Sequence, residues 1–212
     1  MRSFTSKPFY TTNYFFISLL LLIPFSLFAY GVTRQTEWLN TFDQFISNLI
    51  LTNLSPKRTS FYSFVTDMGG TNVIILITLL VSLYFISRKK DPKIAYSYIF
   101  HVVIGAGLLN QLVKLIFQRT RPTIEHLVLQ GGYSFPSGHS MAALICYGGI
   151  VLLVFHLTRR NWIRWLACLL ATVIIIAVGI SRIYLGVHFP SDVIAGFFLA
   201  GSWLSLFAAF IR

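Results

Sequence analysis

Charged residues are scarce in this 212-residue chain. They make up 11% of it, where a soluble domain usually carries about 25%. So small a share cannot coat a water-facing surface of this size, which argues against a soluble globular enzyme. Acidic residues are scarcer still: Asp and Glu together number 6, and they form no carboxylate cluster of the kind a magnesium site needs. Cysteine is almost missing. Cys146 and Cys168 both lie inside apolar runs, which leaves no disulfide framework and no zinc-ligand spacing and reads as packing. Internal repeats and low-complexity segments are absent, and so is the low hydrophobicity of an intrinsically disordered chain.

What the chain does have is apolar length. Hydrophobic residues make up 56% of it and the mean hydropathy is +0.73, the composition of an integral membrane protein. A spanning helix needs about 20 mostly apolar residues. Stretches 12–31, 69–87, 94–116, 138–157, 163–182 and 191–211 meet that requirement. The expected fold class is therefore all-α: a polytopic membrane protein with six transmembrane helices, forming one domain over 1–212. Residues 14–30, preceded by Arg2 and Lys7, resemble the apolar core of a signal peptide. No convincing small-x-small cleavage site follows and several more spans come after, so they read as a retained first span. The long connection 32–68 is patterned. Trp38, Phe42, Phe45, Ile46, Leu49 and Ile50 recur at helical spacing, with Asn40, Asp43, Gln44 and Ser47 between them. This predicts an amphipathic helix, either lying in the interface or packed across the mouth of the bundle.

The net charge of +11 would suggest nucleic acid in a soluble protein; here basic residues mark cytoplasmic loops and contacts with anionic lipid, and no nucleic-acid partner is expected. With the N-terminus inside, the inner segments hold Arg2, Lys7, Arg88, Lys89, Lys90, Lys93, Arg159, Arg160, Arg164 and Arg212. The outer side holds Arg34, Lys57 and Arg58, and in addition Lys114, Arg119, Arg121 and Arg182 at span ends or in one short loop. If those last residues serve a bound ligand, the bias is clear and places both termini in the cytoplasm.

Three segments then meet on the outer side. Lys114 to Arg121-Pro122 ends the third span, Pro136-Ser137-Gly138-His139 begins the fourth, and Ser181-Arg182 through His188 to Asp192 joins the fifth to the sixth. Three cations without matching carboxylates suit an anion, and guanidinium forks match phosphate oxygens. Ser137 and Gly138 fall at a predicted helix N-terminus, where free N–H groups and the helix dipole favour phosphate and glycine permits close approach. Two histidines on opposite sides of a phosphate permit in-line displacement, one attacking phosphorus and the other protonating the leaving oxygen. His188 and Asp192 are four residues apart, one turn on a helical start, and Pro190 suits its first turn. That pairing favours His188 as nucleophile and leaves His139 as acid. Taken singly, Lys114 could snorkel, Arg121-Pro122 could be a turn and Arg182 an interfacial anchor; their joint occurrence outweighs those readings. Arg119 is set aside as a supporting or headgroup contact, and His101, His126 and His156 are assigned nothing.

At these residues the chain resembles the type 2 phosphatidic acid phosphatase superfamily. Its pattern is Lys-x6-Arg-Pro, then Pro-Ser-Gly-His, then Ser-Arg-x5-His-x3-Asp, matched here without gap or substitution over 114–192. The resemblance implies that Lys114, Arg121 and Arg182 bind phosphate oxygens and that Ser137 and Gly138 add hydroxyl and N–H contacts. It further implies that His188, supported by Asp192, forms a phosphohistidine, that His139 protonates the leaving group, and that no metal or cofactor takes part. Soluble haloperoxidases share the motifs, but the spans here point to the membrane branch. The implied substrate is a lipid phosphate in the outer leaflet of a bacterial plasma membrane: undecaprenyl pyrophosphate, phosphatidylglycerol phosphate or phosphatidic acid. The segment 34–52 is placed to shape access of the lipid tail, and none of its residues names a lipid. A phosphotransferase using the same phosphohistidine, and a non-enzymatic anion- or lipid-binding protein, are the alternatives; the latter leaves the His188–Asp192 pair without a role.

Overall fold

A computed structural model describes residues 8–52 and 54–211; Arg2, Lys7 and Arg212, on which part of the charge count rests, lie outside the described residues. Among the described residues the ordered elements are all helical. They are α1 (Pro8–Arg34), α2 (Glu37–Leu51), α3 (Pro56–Asp67), α4 (Thr71–Ser87), α5 (Pro92–Val102), α6 (Asn110–Phe117), α7 (Gly138–Leu157), α8 (Asn161–Tyr184) and α9 (Pro190–Phe210). A π-helical segment, Val103–Leu109, fuses α5 and α6 into one apolar rod from Pro92 to Phe117.

By length and hydropathy, five helices can cross a membrane: Asn13–Arg34, Pro92–Phe117, Gly138–Leu157, Asn161–Tyr184 and Pro190–Phe210. The sixth expected span, 69–87, differs from the rest. Its apolar part, α4, has 17 residues and reaches spanning length only together with α3, across a 42° bend. The bend falls at Met68–Gly70, where Gly69 sits so close to α7 that a Cβ would lie 2.9 Å from the His139 carbonyl oxygen. The helix α3 begins at Ser55, whose hydroxyl caps the Arg58 N–H, and continues through Pro56 in its first turn. Its polar composition kept it out of the hydropathy pattern.

α7 lies at the centre. It buries Met141, Ala143, Ile145 and Cys146 against α8, α9 and α5, while the outer helices turn Phe16, Leu20, Ile23, Leu80 and Leu170 outward, as lipid contact requires. α1 runs along α9, and the buried Ser18 and Ser202 hydroxyls meet at 2.8 Å. His101 belongs to this core: its ring stacks on Phe207 with centroids 3.9 Å apart, and Nε2 is 3.1 Å from the Ile145 carbonyl oxygen.

The glycine within the π segment has a steric reason. At Gly105 the backbone approaches Trp203, whose indole N–H donates to the His101 carbonyl at 2.9 Å, and any Cβ would overlap the indole. Gly105→Leu is therefore expected to force Trp203 out of place and to destabilise the protein by about 1–3 kcal/mol, read as a lower Tm in detergent while Gly107→Ala, which faces open space, leaves Tm near wild type.

The amphipathic helix predicted within 34–52 is α2. Phe45 and Leu49 face outward, whereas Leu39 and Asp43 are buried against the ends of α8 and α9. The helix packs across the bundle by one face, the second of the two expected placements, and leaves the other face exposed. Asp43, read as part of the polar face, is 4% exposed.

Candidate functional site

Four helix ends converge. α6 ends at Gln118, in the left-handed region at φ 45°, and releases the chain into the 119–137 loop. α7 begins at Gly138, with the Ser137 hydroxyl as its cap; that oxygen lies 2.9 Å from Ser140 Oγ. α8 ends at Tyr184, and Gly186 turns the chain at φ 75°, where a Cβ would also collide with the Glu125 carbonyl at 2.6 Å. α9 starts at Pro190, and the carboxylate of Asp192 accepts the Phe189 N–H at 2.9 Å. The first turn of α9 is stitched to α7 by the Ser137 N–H donating to the Asp192 carbonyl at 3.0 Å. Ser137 therefore spends both its hydroxyl and its N–H on fixing these ends. Gly138 has a local reason as well: a Cβ there would lie 3.0 Å from Asn110 Oδ1.

The residues singled out by the sequence come together here. His188 Nδ1 lies 3.3 Å from Asp192 Oδ2, and both side chains are essentially sealed from solvent. On the other side of the ring, Arg121 Nη1 is 3.2 Å from His188 Nε2. A guanidinium can only donate, so Nε2 is the acceptor and carries the lone pair, and Nδ1 carries the proton directed at Asp192. Burial drives the His188 imidazole down to about 4; Asp192 opposes the shift, and Arg182 and Arg121 add to it. His188 at rest is thus a neutral imidazole in one tautomer. His139 lies within the electrostatic reach of Arg182, His188, Lys114 and Arg121.

The cations are already supplied with oxygens. Lys114 Nζ donates to the Tyr133 carbonyl at 2.9 Å. Arg121 donates from Nε to Gly132 at 3.0 Å and from Nη2 to Gly131 at 2.8 Å. Arg182, 1% exposed, donates to Thr66 Oγ1 at 2.8 Å and to Gln130 Oε1 at 2.5 Å, and its Nε has no partner among the described residues. The strand of loop Gln130–Tyr133 therefore lies across the cluster and presents uncharged acceptors to it.

Two residues enter that the motifs did not single out as site residues. Arg119 bridges Asp192 Oδ1 and Asp43 Oδ2, each at 2.7 Å, and its guanidinium covers the Phe189 ring 4.0 Å from the centroid. Asp43 also accepts the Ser191 N–H and hydroxyl at 2.8 Å each. Burial raises the Asp43 carboxyl above its ordinary range, with Arg119 and Ser191 opposing. Asp43 carried no sequence signal, since a lone carboxylate on an amphipathic helix reads as solvated. Arg119 could have been promoted by its place inside the Lys114–Arg121 motif.

An apolar helical bundle thus gathers a cluster of cations, two histidines and a carboxylate at one end, surroundings that suit an anion in a membrane protein. The comparisons give the class. Residues 95–212 match the PAP2 superfamily. The chain is 33% identical over 182 residues to phosphatidylglycerophosphatase B of Bacillus subtilis, covering 83% of this chain and 88% of that one. It is 29% identical to an undecaprenyl-diphosphatase of Sulfolobus acidocaldarius, covering 94% and 91%. The crystal structure of a transmembrane PAP2-type phosphatidylglycerolphosphate phosphatase from Bacillus subtilis superposes with a TM-score of 0.84 at 29% identity, covering 92% of this chain and 97% of that one. This chain belongs to the PAP2 superfamily. It is an integral membrane lipid phosphatase, a phosphoric monoester or diphosphate hydrolase.

Proposed function

We propose that the protein hydrolyses the terminal phosphate of a lipid phosphomonoester or pyrophosphate at the outer face of the membrane through a phosphohistidine on His188, without a metal. The candidate substrates are undecaprenyl pyrophosphate, phosphatidylglycerol phosphate and phosphatidic acid. The observation that carries the reading is the state of His188: neutral, Nε2 lone pair free of a proton, held between Arg121 and Asp192 beside the cation cluster.

The phosphate displaces the Gln130–Tyr133 oxygens and takes the donors of Lys114, Arg121 and Arg182, with N–H groups at the start of α7 adding to them. The lone pair of Nε2 attacks phosphorus. The bond from phosphorus to the leaving oxygen breaks, and His139 gives that oxygen its proton. Asp192 stabilises the positive charge that develops on the ring. Water then attacks the phosphohistidine, the neutral His139 takes its proton, and the N–P bond breaks to restore His188. The three cations stabilise the equatorial charge in both steps. The distribution of Lys and Arg, with the site's own cations set aside, supports an outer-face site with both termini in the cytoplasm. Residues 1–212 act as one domain, with its site in 114–192.

The deciding experiment is phosphate release by purified protein from the three lipids, with EDTA present and no acceptor added. Release that survives EDTA is expected, and its ranking names the substrate; release only on adding a second alcohol or lipid would make the protein a transferase instead. Two further results are expected. Lys114→Ala should lower kcat/KM by about 10–100-fold, the loss of a charge-assisted contact of about 1.5–3 kcal/mol; unchanged kinetics would place the phosphate elsewhere. In ¹⁵N-histidine NMR of the resting protein, His188 should remain neutral, with Nδ1 protonated, until the pH falls to about 4. Protonation below that point occupies Nε2 and removes the nucleophile, so acid inactivates through this group and alkali does not. A midpoint near the ordinary 6.5 would contradict the buried geometry.

A further inference from the structure

We propose that Asp43, on the interfacial helix α2, is a positioning residue for the reaction: through Arg119 and the first turn of α9 it sets the orientation of the Asp192 carboxylate and hence of the His188 imidazole. The inference rests on the role proposed for His188.

The Asp192 carboxylate has two oxygens with different duties. Oδ2 faces His188 Nδ1 at 3.3 Å and the Phe189 N–H at 2.9 Å, while Oδ1 faces Arg119 Nη1 at 2.7 Å. The shorter, charge-assisted contact is the one to Arg119, so Arg119 dominates the rotation of the carboxylate, and the imidazole follows it. Arg119 is itself fixed from outside its own loop. Its other arm meets Asp43 Oδ2 at 2.7 Å, and Phe189 supports its face.

Asp43 holds a second part of the same assembly. The N-terminal turn of α9 leaves N–H groups that need acceptors. Phe189, at the cap position, has no side-chain oxygen, and the Ser191 N–H is taken by Asp43 Oδ1 at 2.8 Å. The capping carboxylate for the helix that carries Asp192 is thus supplied by α2. A charge at 4% exposure is costly unless paired, and here each oxygen of Asp43 has a partner. A carboxylate used only to glue α2 down could have met any donor of the bundle. This one meets the two groups that border Asp192 on either side: the guanidinium on its Oδ1 and the residue just before it in the chain.

The expected consequence is a loss in the chemical step without a loss in phosphate binding, since Lys114, Arg121 and Arg182 make no contact with Asp43. Asp43→Asn keeps the size and the Oδ1 acceptor and removes the charge. In full-length protein in detergent, acting on phosphatidic acid, it should lower kcat by about 10–100-fold, the usual cost of a small misplacement of reacting groups, with KM within about threefold of wild type. The double variant Asp43→Asn/Arg119→Ala should fall no further than Arg119→Ala alone, because both act through one bridge. Asp43→Glu, which retains the charge, should recover part of kcat. Wild-type kcat in folded Asp43→Asn, a loss carried by KM, or losses that multiply in the double variant would overturn the proposal. If Asp43→Asn does not fold, Arg119→Lys decides: one nitrogen cannot span both carboxylates, so kcat should fall at constant KM, and an unchanged kcat overturns it. His188→Ala run alongside separates the two readings. Activity in that variant removes the proposed mechanism itself, whereas its inactivity beside a fully active Asp43→Asn removes only the positioning role.

Discussion

His188→Ala is expected to abolish phosphate release while the protein remains folded and inserted. The side chain is buried, yet its neighbours do not depend on it. Asp192 keeps Arg119 at 2.7 Å and the Phe189 N–H at 2.9 Å. Arg121 keeps the Val187 carbonyl at 2.6 Å and the loop carbonyls beyond. No buried charge is left without a partner, so the stability cost is that of a small cavity and a lost ring. The chemical cost is the nucleophile itself, a loss on the order of 10⁴-fold or more. Phosphate release, a monodisperse chromatographic profile and the absence of an acid-labile phosphoprotein are the three readouts. A folded variant that retains more than a few per cent of activity would remove His188 from the reaction.

Arg182→Ala is expected to lose about 10²–10³ in kcat, the scale seen when one preorganised donor to a developing oxyanion is removed. It should also lower Tm, which His188→Ala should do far less. Arg182 is among the largest fully buried side chains, and it ties α3 through Thr66 and the 119–137 loop through Gln130 to the end of α8. Removing it leaves Thr66 and Gln130 without their donor and opens a space in the centre of the site. Arg182→Lys should restore charge without restoring rate, since a single ammonium cannot serve Thr66, Gln130 and a phosphate from one plane. Full activity in the lysine variant would mean that charge alone matters there.

The legible part of this site was the part written at fixed spacing. Lys114, Arg121, His139, Arg182, His188 and Asp192 occur in three short segments at helix ends, and helix ends on one side of a bundle are neighbours once the spans are counted. The spans showed through because lipid-facing helices must be apolar over their whole length. What stayed hidden depended on contacts between segments. α3 is polar and contributes to a crossing only through its bend into α4, so no hydropathy window finds it. Asp43 lies far from Arg119 and Ser191 in sequence, and its burial depends on how α2 docks. Thr66 and Gln130 have no motif at all; they matter because Arg182 points its two arms at them. Periodicity detects faces, and it cannot say which face finds a partner.

The loop oxygens over Lys114, Arg121 and Arg182 give the resting site a threshold. On the proposed reading a lipid phosphate binds by exchange, replacing Gly131, Gly132, Tyr133 and Gln130 as acceptors, so it gains only the difference between its own oxygens and theirs. A hydroxyl or an ester carbonyl offers nothing that the loop does not already provide. A phosphate dianion does, because its full negative charge attracts the three cations in a way that a carbonyl dipole does not. On that reading, lipids that bring only hydroxyl or ester oxygens are refused without a steric filter. The same exchange runs backwards at the end of the cycle: as inorganic phosphate departs, the carbonyls resume their places and no cation is left bare, which lowers the cost of letting the product go.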